Sequence, residues 1–136
     1  MKVELRYAPL PVIGAIAVHY WFVVCDDAGA RHRWEVWQTA DAGGTSYGHV
    51  HCDLKPPEAD VGGGPSRLEA QWEGSEAEHI AAVLNDARSY PWCGKYRYWP
   101  GPNSNSFVAW VLRRAGIRYA LHWKGIGERW AKLAPK

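Results

Sequence analysis

The sequence predicts an α+β fold, a small antiparallel sheet packed by two main helices, in one domain spanning residues 1–136. Alternating, β-branched and aromatic runs fill the first half of the chain and are typical of strands. Apolar residues at helical spacing follow in the second half. The length of 136 residues is enough to bury one core, and 47% hydrophobic and 22% charged residues are ordinary for a globular chain.

The strands are expected at residues 3–7, 14–25, 32–39 and 47–54, with a short edge strand at 67–72. The second and third are joined by Asp26-Asp27-Ala28-Gly29, in which Asp favours local side-chain bonds and Gly accepts a positive φ, so we expect a β-hairpin there. Residues 55–66 contain three prolines and three glycines and are expected to form a surface loop.

The first helix is expected to begin near Ser75, because Ser75 and Glu78 have the spacing of a capping box. The apolar positions then continue at helical spacing to about Ser89, and Pro91 ends the run.

The second helix should begin within residues 103–106, all of which are good N-cap types, and Gly116 is a natural residue to end it. An apolar stripe formed by Phe107, Val108, Val111 and Leu112 would face the core. The remaining tail, residues 117–136, is expected to wrap the domain.

Charge and hydropathy exclude several classes of partner. Sixteen Lys and Arg against fourteen Asp and Glu give a charge of +2, so no nucleic-acid partner is expected. The most apolar stretch, residues 14–25, contains His19 and is well short of the ~20 residues that a membrane span needs. The N-terminus lacks the apolar core of a signal peptide, so we expect a cytoplasmic protein. Cys25, Cys52 and Cys93 lack C-x-x-C spacing and are expected to be reduced thiols.

The most informative segment is Tyr98-Trp99-Pro100-Gly101-Pro102-Asn103-Ser104-Asn105-Ser106-Phe107. Two prolines and a glycine fix a tight approach, and small polar residues then begin a helix. Such a junction presents a side chain at the positive end of the helix, where free backbone N–H groups can bind an anion or an oxyanion. The alternative is a proline turn followed by a well-capped helix with no further role, and spacing alone favours this alternative.

Residues 99–110 resemble the W-P-G-P-N-S-N-T-F-V-A-W signature of the bacterial "domain of unknown function 3750" family. The similarity extends to His19-Tyr20-Trp21, to Trp34-Glu35-Val36, and to Ser89-Tyr90-Pro91 with Tyr96. This chain has Ser106 where the family usually has Thr. In place of the closing P-P-x-A-I-G-K-D it has Gly125-Ile126-Gly127-Glu128.

Residues 103–107 are also similar, more distantly, to the N-C-x-H-F motif of permuted papain-like families, which include NlpC-type amidases, PPPDE-type peptidases and lecithin:retinol acyltransferase. In those families a His on an early strand precedes a Cys at a helix N-terminus. The resemblance implies a permuted papain-like (NlpC-type) fold with His19 on the first long strand and Ser104 in the Cys position.

The resemblance implies a hydrolase or acyltransferase that acts on an amide, thioester or ester. Ser104 would be the nucleophile and His19 the base, with the amides of Asn103 or Asn105 aiding the oxyanion. Glu35 is a candidate to orient His19, but strand register could place it on the wrong face, and a solvated strand carboxylate is the preferred interpretation. His19 could equally be a satisfied histidine in the sheet.

Two other classes of function remain open. The chain could be a non-catalytic binding module for a small-molecule or peptide-like ligand, which Ser in place of Cys slightly favours. A Trp-lined glycan binder would require several of four tryptophans to be exposed together: Trp34, Trp37, Trp92 and Trp99.

A metal site is considered at His49 and His51, because residues i and i+2 of a strand share a face. Zinc would need further ligands, and Cys52 would point to the opposite face. Surface histidines are therefore the preferred interpretation, and neither a metal nor a cofactor is predicted.

Overall fold

Six antiparallel strands form one sheet, and two helices pack on one of its faces. The structure, a computed structural model, describes residues 1–14, 16–122 and 126–133. The strands follow one another along the sheet in the order β4-β5-β3-β2-β1-β6. Their bounds are β1 (Lys2–Pro9), β2 (Val18–Cys25), β3 (Arg31–Val36), β4 (Thr45–Tyr47), β5 (Val50–Cys52) and β6 (Arg67–Glu73). The predicted α+β class, with an antiparallel sheet and two main helices, is confirmed.

The expected hairpin joins β2 to β3. The carboxylate of Asp26 accepts hydrogen bonds from the backbone N–H groups of Ala28 and Ala30, and Gly29 has a φ of +88°. The second strand begins at Val18 rather than residue 14, because Leu10 and Ile13 hydrogen-bond to the backbone of Ala17 and make a turn ahead of the strand. The third strand ends at Val36 instead of residue 39.

Residues 47–54 are a turn between two short strands rather than the expected single strand. Tyr47 ends β4, and β5 begins three residues later at Val50 and pairs back onto β4. Gly48 occupies the turn with a φ of +64°, a conformation that strongly favours glycine. The expected edge strand is present as β6, which pairs with β1.

Helix α1 (Gly74–Asn85) lacks the predicted capping box. Its N-cap residue is Glu73, whose side chain makes no capping hydrogen bond, so Ser75 lies inside the first turn. The helix ends at Asn85, and a short 3₁₀ turn at Ala87–Ser89 completes the apolar run that the sequence predicted as continuous helix.

Helix α2 (Ser104–Arg114) begins and ends as predicted. Its apolar stripe is buried, and Gly116 takes a φ of +74° just after the last turn. The Ile117 N–H bonds the Leu112 carbonyl at 2.9 Å, which satisfies one of the free carbonyls of a helix end. The tail continues to a 3₁₀ helix at Glu128–Leu133. Trp123 and Gly125 lie outside the described residues.

Alternation along β2 separates two packing environments. Tyr20, Phe22 and Val24 belong to the main core under the helices. Trp21 and Val23 belong to a second, smaller cluster with Ala8 on the other face. Residues 55–66, predicted as a surface loop, cover that second face. Trp21 contacts this loop, because its Nε1 donates to the carbonyl of Pro57 at 2.8 Å.

None of the helices in the described ranges combines the length and apolar character needed to cross a membrane. The three cysteines, Cys25, Cys52 and Cys93, are free thiols, each of them partly buried.

Candidate active site

His19 lies on β2, on the sheet face opposite the helices, and is 1% exposed. Its Nε2 is 2.9 Å from Oε1 of Glu35. The ring stacks on Trp21 and meets the edge of Trp37. An ionised carboxylate only accepts hydrogen bonds, so Nε2 carries a proton, and when the ring holds only that proton the lone pair is on Nδ1. Within residues 1–14, 16–122 and 126–133, Nδ1 has no hydrogen-bond partner.

Glu35 is fully buried, so its interpretation as a solvated strand carboxylate is wrong. Strand register explains the difference. Phe22 pairs with Trp34, which points Glu35 to the same side of the sheet as His19. Burial opposes ionisation of the carboxyl group, but the hydrogen bond and charge of His19 and the charge of Arg33 outweigh it, and the pKa of Glu35 falls to about 2.

Arg33 is the buried partner that sequence analysis missed. Its Nε lies 2.6 Å from Oε2 of Glu35 and its Nη2 lies 2.9 Å from Oε1, so the pair is bidentate. Its Nη1 donates to the carbonyls of Pro56 and Ala59, and the guanidinium lies 3.9 Å from the Trp21 ring centroid. The sequence signal is the Arg-x-Glu spacing on a strand, which places both side chains on one face.

Ser104 is the first residue of α2 and is 7% exposed. Its Oγ lies 3.4 Å from Oδ1 of Asn105. Asn103 is the N-cap: its Oδ1 accepts from the N–H groups of Asn105 and Ser106, and Ser106 Oγ accepts from the Asn103 N–H. The N–H of Ser104 has no acceptor among the described residues, so it is free at the positive end of the helix.

Asn105 joins α2 to the sheet instead of capping the helix. Its Oδ1 accepts from the Tyr20 N–H at 3.1 Å, and its Nδ2 donates to the carbonyls of Val18 at 2.9 Å and Ile126 at 3.2 Å. β3 pairs with β2 only from Phe22 onward, so the edge of β2 at Val18 and Tyr20 is open to the Asn105 side chain. The asparagine amide thus occupies the free strand edge on both sides of His19, and this fixes the helix N-terminus beside the histidine.

Residues 126 and 127 also pack at this helix start. The carbonyl of Gly127 accepts from Ser106 Oγ at 2.7 Å. Gly127 has a φ of +103°, and a Cβ there would lie 2.5 Å from Oδ1 of Asn103. A glycine is therefore required at this position both by conformation and by close approach.

His19 and Ser104 line one cavity of about 240 Å³. No hydrogen bond joins the two side chains in the part of the chain that the structure describes. The other polar lining residues are Gln38, Asn103 and Asn105. Apolar and aromatic residues form the remaining wall: Leu10, Pro11, Ile13, Ala17, Trp37, Val61, Tyr96, Tyr98 and Ile126.

His49 and His51 both contact protein groups rather than sharing an open site. His49 donates from Nδ1 to the Trp37 carbonyl, and His51 is fully buried between Ser46 and Thr39. The surface interpretation is therefore wrong for His51.

A different group, which sequence analysis missed, has the geometry to hold a metal ion. His32, Cys52 and Asp53 have ligand atoms within 4.8 Å of one another. Nδ1 of His32 lies 2.7 Å from Oδ2 of Asp53, so the same two residues also form an ion pair when the histidine is protonated.

Of the four tryptophans that a glycan-binding surface would need, Trp99 is exposed and the other three are partly buried. Trp34 and Trp92 pack against the main core, and Trp37 packs against His19. The expected cluster of exposed tryptophans is not formed by these four residues.

A family model described as "Protein of unknown function (DUF3750)" matches residues 1–130. No curated protein and no solved structure matches the chain. The likeness to permuted papain-like proteins stays a prediction from the motif.

Proposed function

The chain belongs to the DUF3750 family, and we propose that its site transfers an acyl group from an ester, thioester or amide to water or to another acceptor. One observation carries the proposal. His19 is held by a buried, ionised Glu35 through Nε2, and Nδ1 has no partner among the described residues, in a residue that lines the same cavity as Ser104. A nucleophile, a base and a group that orients the base are the components of nucleophilic acyl transfer.

In this mechanism Oγ of Ser104 bonds to the acyl carbon and its proton passes to Nδ1 of His19. The carbonyl oxygen becomes an oxyanion. The free N–H of Ser104 and the α2 N-terminus are placed to stabilise it, rather than the amides of Asn103 or Asn105. The bond to the leaving group then breaks, and His19 returns the proton to that group. Water, deprotonated by His19, releases the acid from the acyl-serine.

Glu35 and Arg33 are positioning residues in this proposal. Glu35 holds the His19 tautomer that can accept a proton at Nδ1, and it stabilises the imidazolium that forms. Arg33 supplies the buried positive charge that helps to keep Glu35 ionised. A hydroxyl needs this assistance more than a thiol does, because its proton must leave during the attack.

The second candidate is a binding module without catalysis. The observation that favours it is the hydroxyl of Ser104, which points to Oδ1 of Asn105 rather than to a base. For catalysis this hydroxyl must rotate toward His19. Without that rotation, the cavity would hold a small-molecule or peptide-like ligand and leave it unchanged.

A cytoplasmic location fits either function, because Cys25, Cys52 and Cys93 are free thiols and a reducing compartment keeps thiols free.

The test is covalent labelling with a small fluorophosphonate, which reacts with activated serine hydroxyls, read by mass spectrometry. We expect one label, on Ser104. Ser104→Ala should remove it, and His19→Ala should slow labelling by at least about 10³-fold, as expected for loss of the base. Ser75→Ala is the matched control, because Ser75 is an exposed serine near the start of the other helix.

The outcomes separate the two candidates. A label on Ser104 that depends on His19 supports catalysis. Folded protein that stays unlabelled after long exposure overturns it and leaves the binding module. The fold of each variant is checked by circular dichroism, so that loss of label is not confused with loss of structure.

A further inference from the structure

The cavity shared by His19 and Ser104 has a lining without formally charged side chains. Its described lining residues include no Asp, Glu, Lys or Arg. A carboxylate or phosphate that entered it would lose hydration without meeting an opposite charge, and this costs free energy. The part of a substrate that enters the cavity should therefore be uncharged.

Few polar groups in the cavity remain available to a ligand. Oδ1 of Asn105 already accepts from Tyr20, and its Nδ2 already donates to two carbonyls. Oδ1 of Asn103 caps the helix. Besides the exposed Gln38 amide and the hydroxyls of Tyr96 and Tyr98, the described lining offers the N–H and hydroxyl of Ser104 and Nδ1 of His19. These Ser104 and His19 groups are enough to bind and attack one carbonyl group.

Much of the remaining lining is apolar. Leu10, Pro11 and Ile13, from the loop between β1 and β2, line the cavity together with Val61 and Ile126. Ligand pockets usually combine such a wall with a few placed polar groups, and the wall binds the apolar part of the ligand.

Exposed apolar residues are sequence neighbours of residues that line the cavity. Val12 and Ile16, which belong to the same loop as the lining residues, are exposed, and so is Trp99, next to Tyr98. Val12 is fully exposed and has a φ of +69°, an unfavourable conformation for a β-branched residue. Exposed apolar side chains beside an apolar cavity indicate an apolar ligand that extends past its mouth.

Resting on the proposed function, we propose that the substrate is an ester or thioester of an apolar acyl chain, bound with its carbonyl at Ser104 and its chain along the Leu10–Ile13 wall. The bond from Ser104 Oγ to the acyl carbon forms as the C–O or C–S bond to the leaving group breaks. His19 carries the serine proton to the leaving alcohol or thiol. Water then gives the carboxylic acid and restores Ser104.

The experiment compares p-nitrophenyl esters of acetate, butyrate, octanoate and laurate. We expect kcat/KM to rise with chain length by up to about fourfold for each methylene that becomes buried. The rise should be shallower beyond octanoate, because the residues outside the cavity are exposed. Ile13→Asn should lower the octanoate-to-acetate ratio of kcat/KM at least tenfold. Leu68→Asn is the control, since Leu68 is an exposed leucine on β6 that does not line the cavity.

The outcomes distinguish this inference from the proposed function. Turnover that depends on Ser104 but is equal for all four esters overturns the acyl-chain assignment and leaves acyl transfer standing. Absence of Ser104-dependent turnover overturns the ester assignment, and if Ser104 also takes no fluorophosphonate label it overturns acyl transfer as well. In that case calorimetric titration with 1-octanol tests whether the cavity binds an apolar chain. Binding to the native protein that is lost in Ile13→Asn supports an apolar chain as the occupant. If the native protein does not bind 1-octanol, the assignment of an apolar chain to the cavity is overturned.

Discussion

His19 and Glu35 share a 2.9 Å hydrogen bond although they lie 16 residues apart on neighbouring strands. Both side chains are on the sheet face that the helices leave uncovered, beneath residues 55–66. Burying a carboxylate is costly unless it is paired, and here both of its oxygens contact Arg33 while one also contacts His19. The result is a histidine ring whose Nε2 is held by Glu35 and whose Nδ1 has no partner in the described part of the chain.

Replacing Arg33 with Met should destabilise the fold strongly, because it leaves the Glu35 carboxylate buried without its cationic partner. Removal of one member of a buried ion pair typically costs about 3–5 kcal/mol. Urea denaturation at pH 7 would measure this as a lower midpoint. Arg113→Met is the comparison at an exposed arginine, and it should change the unfolding free energy by no more than about 0.5 kcal/mol.

A double change, Arg33→Met with Glu35→Leu, should recover most of the lost stability, because two apolar groups can replace a buried ion pair with little loss. If the double variant is as unstable as Arg33→Met alone, the charge pairing is not the cause. The bonds from Arg33 to the carbonyls of Pro56 and Ala59 would then explain the loss.

Stability should fall on acidification through Glu35. Its pKa is about 2 in the folded protein and about 4.3 in an unfolded chain, so the folded state holds fewer protons between these values. The contribution of Glu35 is complete above about pH 5 and is lost as the pH falls through 4.3 toward 2. Between pH 6 and pH 2 the native protein should lose about 3 kcal/mol more unfolding free energy than the double variant, in which other carboxyl groups are unchanged. If the unfolding free energies of the native protein and the double variant fall equally between pH 6 and pH 2, this prediction is wrong.

Local signals predicted most of the elements. The turn at residues 26–29, the start of α2 at Asn103 and its end at Gly116 each depend on side chains within a few residues of the feature, so the sequence is sufficient to predict them. The prediction of a capping box at Ser75 was wrong, because β6 runs to Glu73 and α1 follows it directly, so the N-cap lies two residues before Ser75.

The site depended on contacts that local signals do not specify. Sequence reasoning named His19 and Ser104 but preferred an exposed Glu35, since the register between β2 and β3 was unknown. Arg33 was missed because an arginine in a strand is usually exposed, and only the loop over the second face makes it buried. The role of Asn105 was missed because its partners lie 85 and 87 residues away.

Asn103 and Asn105 should differ in what they stabilise. Asn103→Ala removes an N-cap and should cost about 1 kcal/mol, within a range of about 0.5–2. Asn105→Ala leaves the Tyr20 N–H and the Val18 carbonyl buried without a partner, at about 1–3 kcal/mol for each unsatisfied group. Urea denaturation should therefore rank Asn105→Ala as the less stable variant. Asn103→Asp keeps the capping oxygen but loses the hydrogen bond from Nδ2 to the Tyr98 carbonyl, so it should recover only part of the stability that Asn103→Ala loses. The opposite ranking would show that Asn105 does not connect helix and sheet.

Ser104→Cys should give a thiol with a pKa well below the free value of about 8.5, because a helix N-terminus and a nearby histidine both favour the thiolate. Two of the native cysteines should react slowly. Burial, and then the neighbouring Asp53, raise the pKa of Cys52 to about 12, and burial also raises the pKa of Cys93. At pH 6 iodoacetamide should therefore modify the new thiol first, as mass spectrometry of the digested protein would show.

The second change decides whether His19 is the cause. Ser104→Cys combined with His19→Ala should lose most of the rate advantage at pH 6. Ser104→Cys combined with Glu35→Gln removes the carboxylate that stabilises the imidazolium, so the pH profile of alkylation should shift to higher pH. If the α2 N-terminus alone lowers the pKa of the new thiol, fast alkylation at pH 6 will persist in both double variants. A new thiol that titrates like free cysteine, and is indifferent to His19 and Glu35, would leave only a capped helix at this position and would remove the electrostatic basis for a site there.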